Sequence, residues 1–228
     1  SPYSYCAGNP IRYVDPDGRR IKPIGSQAQN IILSTLSEYE RPYVSVNEDG
    51  YIDSELLLSC NSHSNNFTCL KDLVMSPYNI EVSTNEIMNY IGGTEEFKEI
   101  EYVKGTDIFG NSFEDVNFND VSGNVDGATG RLGVTYMPVG ENETGKAPLD
   151  NSSIQININP HLGNSRTAAE TFAHEGYGHA IMYVRTGDRS KAVHNPDKKK
   201  NKDVELNIEL KNAIILGRKE AVDNFNSY

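Results

Sequence analysis

Ile31, Ile32, Leu36 and Tyr39 recur at helical spacing across 26–39, and Phe67, Leu70, Leu73 and Val74 do so across 66–75. That period lays apolar side chains along one stripe of an α-helix. Other stretches alternate apolar and polar residues, which sorts side chains onto the two faces of a strand. Tyr78, Ile80 and Val82 predict a strand over 78–83; Leu132, Val134 and Tyr136 predict one over 132–137; Ile154, Ile156 and Ile158 predict one over 154–158. The stretch 43–53 alternates around Glu48-Asp49-Gly50, as a strand or hairpin with a glycine turn does. Residues 104–130 are rich in Gly, Asn and Asp and predict loop, and the polar stretch 138–153 predicts a long excursion between two adjacent strands. Two more helices follow: one over 167–184, opened by a Thr167/Glu170 capping box and closed by Gly187, and one over about 204–225 with Leu206, Leu210, Ala213, Ile214 and Ala221 on one face. The expected class is α+β: a small, mostly antiparallel sheet, an active-site helix and a C-terminal helix.

Composition narrows the function. The chain has 228 residues, enough for one domain with a real core, and its 21 basic against 32 acidic residues leave a net charge of −11. Binding nucleic acid by phosphate neutralisation wants the opposite sign, and the one basic run, Lys198–Lys202, reads as a solvated loop or a contact for an acidic partner. Wholly apolar stretches are short, about four residues at Ala213–Leu216, far below the ~20 residues of a membrane span. Cys6, Cys60 and Cys69 are too few for a disulfide framework; Cys60 and Cys69 read as two buried thiols, with a pairing between them as the alternative. The acidic stretch Asp120–Gly127 lacks the spacing of an EF-hand loop. The chain starts at Ser1 and shows no leader-type apolar run, so it reads as a fragment of a longer polypeptide.

The first twenty residues differ from the rest. Tyr3, Tyr5 and Tyr13 interleave with Pro2, Pro10 and Pro16, and the segment closes on the turn formers Asp15-Pro16-Asp17-Gly18. This Pro10-x4-Asp15-Pro16-x-Gly18 pattern resembles the end of the core of Rhs/YD-repeat proteins. The resemblance implies a repeat-core remnant and linker over 1–20 and a C-terminal effector, commonly a toxin, over 21–228. It also implies a cognate immunity protein as a candidate partner and delivery to a target cell. Many family members cleave themselves just after the motif, usually before a Leu; this chain carries Arg19 there.

The chemistry sits in the helix after the third strand. His174 and His179 lie five residues apart, with Glu175 directly after the first and Gly176 and Gly178 between them. On an ideal α-helix that spacing splays the two imidazoles by about 140°, whereas a π-type widening realigns them. Two glycines in such a helix cost about 1 kcal/mol each against alanine and suit a close approach to a metal. His174-Glu175-x-x-Gly178-His179 resembles the His-Glu-x-x-Gly-His motif of the dipeptidyl peptidase III family of zinc peptidases. The resemblance implies Zn2+ held by His174 and His179, Glu175 as general base, and a peptide or protein as substrate.

A catalytic zinc takes three protein ligands. Glu220, followed by Ala221 on the C-terminal helix, is the expected third, in keeping with the motif family's downstream helical Glu. His194 is the rival ligand or a transition-state stabiliser. Strand 154–158 is the candidate edge to which an extended substrate adds, as in zincin-type peptidases. The competing reading is a non-catalytic binding or adhesion module of a YD-repeat protein.

Overall fold

The computed structural model describes residues 21–99, 102–106, 112–116, 128–129, 132–141, 145–194 and 208–226. The Pro- and Tyr-rich segment 1–20 with its Gly18-Arg19 junction, the acidic stretch 120–127 and the basic run 198–202 lie outside them.

Among the described residues nine strands run in chain order: β1 (Ile21–Ile24), β2 (Ile80–Ser83), β3 (Ile87–Tyr90), β4 (Gly93–Phe97), β5 (Tyr102–Thr106), β6 (Ser112–Val116), β7 (Ala128–Thr129), β8 (Gly133–Tyr136) and β9 (Ile154–Ile158). The helices are α1 (Gly25–Ser34), α2 (Ser54–Ser59), α3 (Asn65–Val74), α4 (Arg166–His174), a π-helical turn (Glu175–Ala180), α5 (Ile181–Thr186), α6 (Arg189–Ala192) and α7 (Ile208–Asn226).

The central sheet has the order β1-β2-β9-β8. β1 pairs with β2 and β2 with β9 in parallel, and only β8 runs antiparallel, against β9. The architecture is therefore α+β as expected, but the sheet is mixed rather than mostly antiparallel. Helices α1 to α3 form the crossover between β1 and β2, which a parallel pair requires. The expected loop over 104–130 also holds short strands, β5 and β6 pairing as an antiparallel hairpin and β7 pairing with β4.

Alternation assigns the sheet faces. Ile21, Ile80, Val82, Ile154, Ile156 and Ile158 are buried in one core with Phe67, Leu70, Phe172 and Tyr177 from the helices. Gly133 and Thr135 of β8 lie opposite Ile158 and Ile156 and share their face, towards α4. Val134 and Tyr136 turn to the other face, where Tyr136 packs with Met88 and Phe97. Cys60 and Cys69 are both free and buried, and burial pushes the Cys69 thiol up to about 11. No helix among the described residues is long and apolar enough to cross a membrane.

Candidate metal centre

α4 starts one cap earlier than its sequence suggested. The Ser165 side chain accepts from Ala168 N–H, and Glu170 is an ion-pair partner of Arg166 and Arg218 rather than half of a capping box. The helix buries Ala168, Phe172 and Ala173 and then passes into the π-helical turn at Glu175. There Ile181 N–H donates to Gly176 O, five residues back. Widening by one residue brings positions five apart into the alignment that positions four apart have in an α-helix. His174 and His179 accordingly converge, their Nε2 atoms 3.1 Å apart.

The third member of the cluster is His194. α5 ends at Gly187 in the left-handed conformation (φ 65°), and Asp188 caps α6 by accepting from Ser190 N–H. Arg189 ties this turn to the end of β8 by donating to Met137 O at 2.7 Å and Lys146 O at 3.2 Å. His194 follows α6, and its Nε2 lies 3.0 Å from that of His174 and 3.2 Å from that of His179.

Glu220 stands elsewhere, which corrects the expected ligand set. Its Oε2 accepts from Asn65 N–H at 2.9 Å and its Oε1 from Asn66 N–H at 3.1 Å, so the carboxylate closes the N-terminus of α3. A helix start is a natural site for an anion, since its first N–H groups lack intrahelical partners. The inserted glycines also have a packing role. A Cβ on Gly178 would lie 2.4 Å from Ile214 Cγ1 of α7, so this glycine admits the C-terminal helix.

Glu175 is only 8% exposed. Thr135 Oγ1 lies 2.7 Å from Glu175 Oε2 and 3.1 Å from the Glu175 carbonyl oxygen, so one hydroxyl on β8 can donate to either. Oε1 has no hydrogen-bond partner among the described residues. Gly133 lets β8 come this close, since a Cβ there would meet Thr171 Cγ2 at 2.6 Å and Glu175 Cγ at 3.1 Å. Neither residue stood out in the sequence; the available signal was only their shared, inward-facing parity on a strand whose other parity is Val134 and Tyr136.

The donor set fits a small divalent cation. Nε2–Nε2 separations of 3.0–3.2 Å are close to the ~3.3 Å edge of a tetrahedron with metal–nitrogen bonds of about 2.0–2.1 Å. His179 Nδ1 is 2.5 Å from Ala192 O, which places its proton there and leaves the Nε2 lone pair facing the other rings. Burial, then the neighbouring His179 and His194, then Arg218 hold His174 down at about 3. Burial and His179 also lower His194, against the charge of Glu175. Both rings are therefore neutral near pH 7, the state that ligates. These three histidines are the one cluster of at least three His, Cys, Asp or Glu ligating atoms among the described residues.

No protein-family model, curated protein or solved structure matches the chain.

Proposed function

We propose that the chain is a zinc-dependent peptidase of zincin-like design, serving as the C-terminal toxin or effector of an exported Rhs-type protein. One observation carries the hydrolytic reading: three converging imidazoles with a buried glutamate beside them and no fourth protein ligand among the described residues. Three ligands leave a position for water, whereas a purely structural site closes with four. When bound, zinc supplies Lewis acidity that polarises the scissile carbonyl and acidifies water without redox chemistry.

The chain's own residues do the rest. Thr135 holds Glu175 Oε2 and leaves Oε1 to take the proton of the attacking water and pass it to the leaving amine. A peptide substrate is favoured by the strand beside this carboxylate. β8, not Ile154–Ile158, is the edge of the sheet; β9 is enclosed between β2 and β8. Asn159 N–H donates to Leu132 O, so Gly133 and Thr135 occupy non-hydrogen-bonded pairs of the ladder and turn their N–H and C=O groups outward. An extended peptide adding there would run past Glu175. The effector role rests on the Pro10-x4-Asp15-Pro16-x-Gly18 pattern, and with it come delivery to a target cell and a cognate immunity protein.

The test is digestion of unfolded casein by the zinc-loaded chain. Wild type should release fragments. Glu175→Gln should keep its zinc and lose the cleavage by several orders of magnitude, and His174→Ala should lose both. Full cleavage by Glu175→Gln would refute this mechanism.

A further inference from the structure

α7 presents a flank to the metal centre that the hydrolytic residues leave unused. Its buried stripe is Leu210, Ile214, Gly217 and Ala221. One side of that stripe latches onto the rest of the fold: Glu220 accepts from the N-terminus of α3, and Asn224 Nδ2 donates to Thr35 O at 2.9 Å. The opposite side carries Lys211, Ile215 and Arg218 at i, i+4 and i+7, all exposed, so they form one row.

The row lies beside the histidines. Arg218 Nη2 donates to Glu170 Oε2 at 2.7 Å, and Glu170 sits one turn before His174 on the same face of α4. Around α4, Thr171 and Glu175 face Gly133 of β8, whereas Ala173 and Tyr177 face Gly217 of α7. At about 100° per residue, His174 projects between those two sides. The metal centre thus lies between β8 on one side and the row on α7 on the other.

Charge gives the α7 wall a preference. Glu170 is shared by Arg166 and Arg218, two guanidiniums on one carboxylate, so the α7 wall keeps a net positive charge, apart from Glu175 on the β8 side, in a chain whose total is −11. Lys211 adds a second cation and has no ion pair among the described residues. Ile215, 51% exposed, lies between the two. We infer that Lys211, Ile215 and Arg218 form the substrate-binding wall opposite β8, and that they select a peptide carrying an acidic side chain next to an apolar one. This rests on the peptidase reading and names the substrate class of that site.

Binding is measured apart from turnover, on zinc-loaded Glu175→Gln protein, by fluorescence anisotropy of two labelled peptides identical except for a central Leu-Asp or Leu-Lys. The Leu-Asp peptide should bind roughly five- to tenfold more tightly at low salt, with the ratio shrinking as salt rises. Arg218→Glu should bring the ratio to one or below. Lys211→Glu should lower it as well, and it breaks no ion pair of the described residues, so misfolding cannot mask the result. Charge-blind binding, no binding of either peptide, or a ratio that survives both substitutions overturns the inference. Casein cleavage with charge-blind binding removes this wall and leaves the peptidase. Charge-selective binding without any cleavage by wild type removes the peptidase and leaves an acidic-peptide surface.

Discussion

Glu220→Ala removes both acceptors from the N-terminus of α3, where Asn65 and Asn66 N–H groups donate at 2.9 and 3.1 Å. The same contact fastens α7, because Asn66 Nδ2 donates in turn to Gly217 O at 3.0 Å and Thr35 O at 3.1 Å. Loss of a helix cap typically costs about 0.5–2 kcal/mol, and a hydrogen bond to a charged group contributes about 1.5–3 kcal/mol. Glu220 is partly exposed, so water recovers some of both, and a net loss of about 2–3 kcal/mol is expected. Urea unfolding of the metal-free protein, followed by far-UV circular dichroism, measures it. Lys219→Ala, on the exposed side of the same helix, should stay within about 0.5 kcal/mol of wild type. Zinc affinity, titrated in parallel, should be unchanged. A Glu220→Ala protein of wild-type stability with sharply weakened zinc binding would refute the reasoning and return the carboxylate to the metal.

Gly178→Ala should destabilise by about 1–3 kcal/mol despite alanine's better helix propensity, because its Cβ meets Ile214 at 2.4 Å; in an Ile214→Ala background the same change should be neutral or stabilising, as a double-mutant cycle would report. Burial raises the Glu40 carboxyl, but hydrogen bonds from Ser62, Ser64 and Ser37 outweigh it and hold the group below its ordinary 4.5. A depressed carboxyl stabilises above its unfolded value and loses that contribution as pH falls through the folded one, so melting temperature should drop below about pH 4.5, and Glu40→Gln should flatten that limb. Thr135→Val should retain zinc while slowing hydrolysis by roughly tenfold or more, with Thr135→Ser restoring most of it; equal rates for Val and Ser would release Thr135 from positioning the base.

Strong periodicity made several elements legible in the sequence. Ile154–Ile158 is a strand with the expected bounds, and α3 differs from its expected span by one residue at each end, because each buries a dense apolar face. Strands β3 and β4 went unread because residue type does not mark their buried face: Ile87 is exposed while the charged Glu95 is buried, so apolar residues do not line one side of either strand. The parallel pairing of Ile21–Ile24 with Ile80–Ser83 depends on a crossover of three helices, which local pattern does not encode. At the site, the five-residue histidine spacing forecast the widened turn, since only a distorted helix lets such residues converge. The third member of the cluster depends on tertiary structure: His194 reaches His174 and His179 through the Gly187 reversal and the Arg189 tether, while Glu220, though on a helix at a suitable place in the chain, is taken up by the N–H groups of α3.

The three-histidine centre is tested most directly by zinc K-edge X-ray absorption of the purified, zinc-loaded chain. One zinc per chain is expected, with three imidazoles and one further light atom at about 2.0–2.1 Å. Zinc that fails to bind, or a spectrum with two imidazoles or fewer, contradicts the assignment of His174, His179 and His194.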